Sequence, residues 1–186
     1  MGEDLGKQYL DDALVTLRKY RQLSERALEQ VDAEQFFHVL DEGSNSLALI
    51  VKHVAGNQHS RWRHFLTSDG EKADRDRDGE FERESGDTRV ALMERWRRGW
   101  DLTLATIEAL APDALLRTVT IRGEPHTVLQ AIQRQIAHYA HHAGQIVFLA
   151  KHLAGKRWKS LSIPKGRSRD FEVARDGSPY RLPDRA

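Results

Sequence analysis

Apolar residues recur at three- and four-residue spacing through four stretches of the chain, the pattern of helices that each bury one face. In residues 4–30 the stripe is Leu5, Tyr9, Leu10, Ala13, Leu17, Tyr20 and Leu23, with Lys and Arg spread between them. From Ser46 to Leu66 it is Leu47, Ile50, Val54, Gln58, Arg61 and Phe65, with the polar stems expected toward the ends of the packed helices. In residues 90–110 it is Leu92, Trp96, Trp100, Thr103, Leu104, Ile107 and Leu110, with Asp87 or Thr88 as the cap. The fourth stretch, Val128 to His152, is long enough for about seven turns at 1.5 Å per residue. No proline interrupts it, and Gly144 is a tolerable cost.

The connections break these periods. DAEQFFHVLDEGSNS reads as a link with a short turn of helix, and Gly43, Ser44 and Asn45 as a stop and a new N-cap. Residues 67–89 are charged and turn-rich, with Gly70, Gly79 and Gly86 and no stripe, so a long surface loop is expected there. Loops of this length are usually functional or mobile. Ala111-Pro112-Asp113 ends the third helix. TVTIRGEPHTV then alternates on both sides of Arg122-Gly123-Glu124, as a small β-hairpin does. After Gly155 no period survives, and residues 156–186 read as an extended tail anchored by Trp158, Leu161, Ile163 and Phe171. The sum is one all-α domain over 1–186 with its core in about residues 4–155: a four-helix bundle with a β-hairpin before its last helix.

Composition narrows the function classes. A chain of 186 residues buries a real core without staples, and it has no cysteine, which removes disulfides, thiolate metal sites and a cysteine nucleophile. The missing cysteine fits a reducing cytoplasm. Charged residues make up 31% of the chain yet leave a net charge of +1, so there is no general electrostatic case for nucleic acid. The N-terminus lacks the layout of a signal peptide, and no apolar run approaches the roughly 18 residues of a membrane helix. There is no GxSxG elbow and no phosphate-binding glycine loop.

The histidines carry the strongest chemical signal. His138 and His142 lie four apart, one turn above the other, at the edge of the apolar stripe, so both imidazoles can face one ion. Glu does not follow the first of them, as it does in a zincin; Tyr139 stands there. With His138 at zero, His142 falls near 40° and the stripe at roughly 80° to 200°, whereas His141 falls near −60° and faces away. His53 occupies the matching edge on the second helix, together with Asn57 and His64. From spacing alone these are either metal ligands or polar helix-edge groups with ordinary hydrogen bonds. Asp74, Asp76, Asp78 and Gly79 imitate the opening of a calcium loop, but the twelfth position is Ser85 instead of Glu, which favours a solvated charged loop. Trp62, Trp96 and Trp100 fall on stripes and read as core or interface, while Arg61, Arg63, Arg95, Arg97 and Arg98 read as solvated helix faces, with the alternative that one of them binds an anionic substrate.

His53 within IVKHVAGN, followed by HYAHHAGQI from His138 to Ile146, resembles the DinB/YfiT-like superfamily. The loop GEKADRDRDGEFE and the tail SLSIPKGRSRDFE look like one uncharacterised branch of it. The resemblance implies an up-down-down-up four-helix bundle, commonly homodimeric, with a divalent metal on three histidines that match His53, His138 and His142. It also implies a metal-dependent thiol transferase, using a low-molecular-weight thiol, or a hydrolase. Zinc or nickel suits such nitrogens, and three ligands leave a coordination position open for a small-molecule substrate. Asn57 and Gln145, one turn from His53 and His142, are candidates to support the ligands or to touch substrate, or else simply to satisfy polar groups in the bundle. The competing expectation is a non-catalytic, metal-stabilised or metal-sensing interaction bundle.

Overall fold

The computed structural model describes residues 2–167. Four long helices dominate it: α1 (Gly2–Leu28), α3 (Leu47–Trp62), α4 (Arg89–Glu108) and α5 (Val128–Ala154), with the short α2 (Ala33–Phe37) between the first two. An antiparallel hairpin, β1 (Thr118–Ile121) and β2 (Glu124–Thr127), precedes α5 as expected, with Thr118 opposite Thr127 and Ile121 opposite Glu124. The α3 helix packs chiefly on α4 and α1 chiefly on α5; α1 also meets α4, and α3 meets α5. Among the described residues, no helix is long and apolar enough to cross a membrane.

Local chemistry sets the boundaries. Ser46 caps α3 by accepting the Leu49 N–H, and Thr88 caps α4 by accepting that of Ala91. Thr127 and Gln130 exchange hydrogen bonds in a capping box that opens α5. The carbonyls at the end of α1 are covered from α4, where the Arg89 guanidinium donates to Leu28 O at 2.7 Å and Val31 O at 2.6 Å. The second helix stops at Trp62, short of the expected Leu66, and His64 takes a left-handed φ of 52° in the turn that follows.

The predicted stripes converge on a core centred on fully buried Trp62, Trp96, Trp100 and Tyr139. Trp96 and Trp100 meet edge to face at 5.7 Å, and the Trp100 ring lies 5.2 Å from that of Tyr139. A buried polar chain crosses this core: Trp62 Nε1–H donates to Tyr139 Oη at 3.0 Å, and that hydroxyl donates to Asn57 Oδ1 at 3.1 Å. The tail docks as far as it is described. Leu161 is buried, Trp158 and Ile163 are half-buried, and Gln30 exchanges hydrogen bonds with the Lys159 backbone. Phe171, expected as a further anchor, lies outside the described residues.

One expectation about α3 fails. An amphipathic helix with one inward stripe would leave Lys52, which lies off that stripe, in solvent, but thirteen of its sixteen residues are buried, Lys52 among them. The reason is the segment after it, which folds back over the outer face. Lys52 Nζ donates to Glu82 O at 2.8 Å and to Asp87 at 2.9 Å, and Ser60 Oγ bonds Gly70 O and the Lys72 N–H.

Candidate metal centre

Helix α3 supplies His53, and successive turns of α5 supply His138 and His142. Their Nε2 atoms face one another: His53 to His138 is 3.3 Å and His142 to His138 is 3.1 Å. One ligand nitrogen from each ring lies within 4.8 Å of the other two, and this is the one group of three or more candidate ligands among the described residues. His53 is buried and the other two are half-buried.

The outer nitrogens reveal what the inner ones present. His53 Nδ1 lies 2.9 Å from Glu80 Oε2, and His142 Nδ1 lies 2.8 Å from Gln145 Oε1. Both partners are acceptors, so each Nδ1 carries a proton, and in the neutral ring Nε2 then presents a lone pair. Two lone pairs then face His138 Nε2, which has at most one proton to offer, while the buried His138 Nδ1 has no hydrogen-bond partner. Hydrogen bonds within the trio cannot satisfy this arrangement. A cation can. Two nitrogens held 2.0–2.1 Å from a tetrahedral ion lie about 3.3 Å apart, close to the 3.1 and 3.3 Å found. The donor set thus fits a borderline divalent ion of the zinc or nickel kind.

Electrostatics keep His138 and His142 neutral. Burial, and then the neighbouring imidazoles and Arg75 and Arg61, push the His138 pKa down to about 3. Burial lowers that of His142 to about 4 against the opposing hydrogen bond to Gln145. Neutral imidazole is the form a metal requires.

The residue that sequence reasoning underrated is Glu80. The 67–89 stretch is irregular and mostly exposed, as a surface loop is expected to be, but it is docked: its 3₁₀ turn, Gly79–Phe81, packs on α3. Glu80 is buried, and Arg75 holds it with two bonds of 2.8 Å. Burial pushes the carboxyl pKa up, but Arg75 and His53 outweigh it and hold Glu80 below its ordinary value. Phe81 stacks on the His53 ring at 4.7 Å. Gly56 makes the approach possible, because a Cβ there would stand 2.2 Å from Glu80 Oε1. The signal was present as an acid and an aromatic in a loop too long to be a simple connection, and a glycine one turn beyond Lys52 on α3. Nothing in the spacing showed that they meet.

The other expected residues sort cleanly. Gln145 stands behind His142. Asn57 bonds Tyr139 instead of any histidine, though it lines the pocket described below. His141 is exposed, as its angle predicts, whereas His64 leaves the helix and the site. The calcium-like aspartates do not converge: Asp74 pairs with Arg63 and Asp76 caps the Gly79 N–H. Arg63, Arg95, Arg97 and Arg98 reach solvent, but Arg61 is buried at 4% exposure, because the folded-back segment covers it.

A family model described as protein of unknown function (DUF1572) matches residues 4–167. The chain belongs to the DUF1572 family. No curated protein and no solved structure matches it. The span matched by DUF1572 takes in all three histidines, Glu80 and Gln145.

Two clefts flank this DUF1572 site. One of 130 Å³ opens onto His53 and His138 and is lined by Asn57, Gln135 and five arginines. A roomier one of 420 Å³ lies behind Glu80, beside Lys52, Gly56 and Gly99, and none of the three histidines lines it. Of these two clefts, only the smaller, basic one opens onto the histidines.

Proposed function

We propose that this DUF1572 protein is a divalent-metal-binding enzyme of the DinB/YfiT-like kind, built as an up-down-down-up bundle of α1, α3, α4 and α5 and working as a homodimer on a small-molecule substrate. The pairings of the four long helices support the bundle. The metal reading rests on one observation: three imidazole Nε2 atoms converge, two of them with lone pairs directed by Nδ1 hydrogen bonds. His53, His138 and His142 hold the ion, zinc or nickel, and leave a coordination position open. When bound, such an ion supplies Lewis acidity, which serves either hydrolysis or the activation of a thiol for transfer.

The chain's own groups do the positioning. Glu80 and Gln145 fix two rings, as carboxylate and amide partners do behind metal-binding histidines. Phe81 covers one face of His53 against water, and the basic cleft leaves His53 and His138 accessible. A thiol for transfer must come from a low-molecular-weight co-substrate, because the chain has no cysteine. The accessible cleft favours an enzyme over a purely metal-stabilised bundle, since structural sites are closed by protein ligands.

The test is metal content of the untagged protein by mass spectrometry. Wild type and His141→Ala should carry about one equivalent, and His53→Ala, His138→Ala and His142→Ala should each lose it. Absence of metal after reconstitution of folded wild type would overturn the proposal.

A further inference from the structure

The 130 Å³ cleft over His53 and His138 is lined by Arg61, Arg75, Arg77, Arg122 and Arg134. Few acids face them. Glu71 is shared among Arg75 at 3.1 Å, Arg122 at 3.6 Å and Arg61 at 4.0 Å, and Glu80 serves Arg75 and His53. Five guanidinium groups against the carboxylates of Glu71, Glu80 and, behind the hairpin tip, Asp69 leave the cleft with an excess of positive charge, in a chain whose net charge is only +1.

Arg61 is the decisive member. Its side chain is 5% exposed, and its Nε and Nη1 have no hydrogen-bond partner. A buried guanidinium with unmet donors is costly, and a bound anion is one way to complete it. The opposite wall is deliberately built. Asp69 accepts the N–H of Arg122 and of Gly123, both at 2.8 Å, and so pins the hairpin tip that carries Arg122 in a left-handed φ of 57°.

We propose that this cleft is an oxyanion subsite, which takes a phosphate or carboxylate group of the substrate and seats it against Arg61, Arg122 and Arg134 beside the three histidines. It rests on the metal-centre reading for its place in a reaction, but not for its binding. The substrate class is then a small anionic molecule whose reacting bond lies close to its charged group. Arginine supplies the planar, paired donors that such groups require.

The experiment is calorimetric titration of inorganic phosphate, and separately of malonate, into metal-free protein in low-salt buffer. Saturable binding of at least one is expected, with phosphate tighter if the natural group is a phosphate ester and malonate tighter if it is a carboxylate. Arg122→Gln and Arg134→Gln, exposed and harmless to the fold, should each weaken it at least fivefold. Arg97→Gln, which removes the same charge from a distant face of α4, should leave it unchanged. Arg61→Gln should abolish it, with circular dichroism confirming the fold, and the two exposed variants decide the matter if this one unfolds. No saturable binding of either anion, or equal weakening by Arg97→Gln, overturns the subsite. Because the protein is metal-free, such a failure leaves the metal centre standing, and loss of metal from wild type would leave the subsite standing.

Discussion

Replacing Glu80 by Gln tests whether the folded-back loop serves the metal centre or only covers α3. The carboxylate accepts the His53 Nδ1 proton at 2.9 Å and two Arg75 bonds at 2.8 Å. Gln keeps the shape and one acceptor oxygen, but it removes the charge that makes the imidazole a better donor to a cation. It also turns an NH₂ group toward Arg75 or His53. Losing such a partner behind a histidine ligand typically costs about 10–100-fold in metal affinity, or about 1.4–2.8 kcal/mol at about 1.4 kcal/mol per tenfold. The fold should suffer separately, because Arg75 is 5% exposed and keeps only Glu71 as a full counter-charge. Breaking a buried pair from one side costs about 3–5 kcal/mol. Gly56→Ala reaches the same group without touching its charge, since the new Cβ would stand 2.2 Å from Oε1 and must displace it. The assay is zinc competition with a calibrated chelator, run beside chemical denaturation of the metal-free proteins. Both variants should bind zinc at least tenfold more weakly while still reaching one equivalent at saturation. Unchanged zinc affinity in a folded Glu80→Gln protein would refute the role of Glu80 behind His53.

Two further outcomes test the supporting structure. Partial burial pushes the Asp69 pKa up, yet the N–H groups of Glu71, Gly123 and Arg122 outweigh it and bring it down to about 2. A depressed carboxyl pKa contributes stability above its unfolded value near 3.8 that is lost as pH falls through 2. Asp69→Ala should therefore be about 1–2 kcal/mol less stable at neutral pH, with the gap to wild type closing between pH 4 and 2 in denaturant titrations; a constant gap would contradict the hairpin-pinning role. Tyr139→Phe should cost about 1–3 kcal/mol, because Trp62 Nε1–H and Asn57 Oδ1 both lose their partner inside the core. A thermal melt within error of wild type would show that the chain is satisfied another way.

Much of the fold was written in periodicity, which is local information. The four apolar stripes located the long helices to within a few residues, and the Arg122-Gly123 turn signal located the hairpin. The HxxxH spacing was equally legible, since helix geometry alone stacks His138 over His142 and turns His141 to solvent. His53 was a candidate from its matching edge on another helix, but spacing left it open whether it is a ligand or an ordinary helix-edge group, and the resemblance favoured the former; its Nε2 lies 3.3 Å from that of His138. The tertiary structure alone decided the rest. A charged, glycine-rich segment has no period, so its reading as a surface loop was the natural one. It stays at the surface but folds over α3, because Lys52, Gly56 and Ser60, facing the same side, offer a counter-charge for Asp87, a gap for Glu80 and a hydroxyl for the Gly70–Lys72 backbone. That docking buries Arg61, sets Glu80 behind His53 and gathers arginines from α3, the loop, the hairpin and α5 into one cleft. Sequence by itself determined which faces are helical and which imidazoles share a turn. Long-range charge pairing and close packing determined what stands behind and before them, since those energies depend on distance in space and not along the chain.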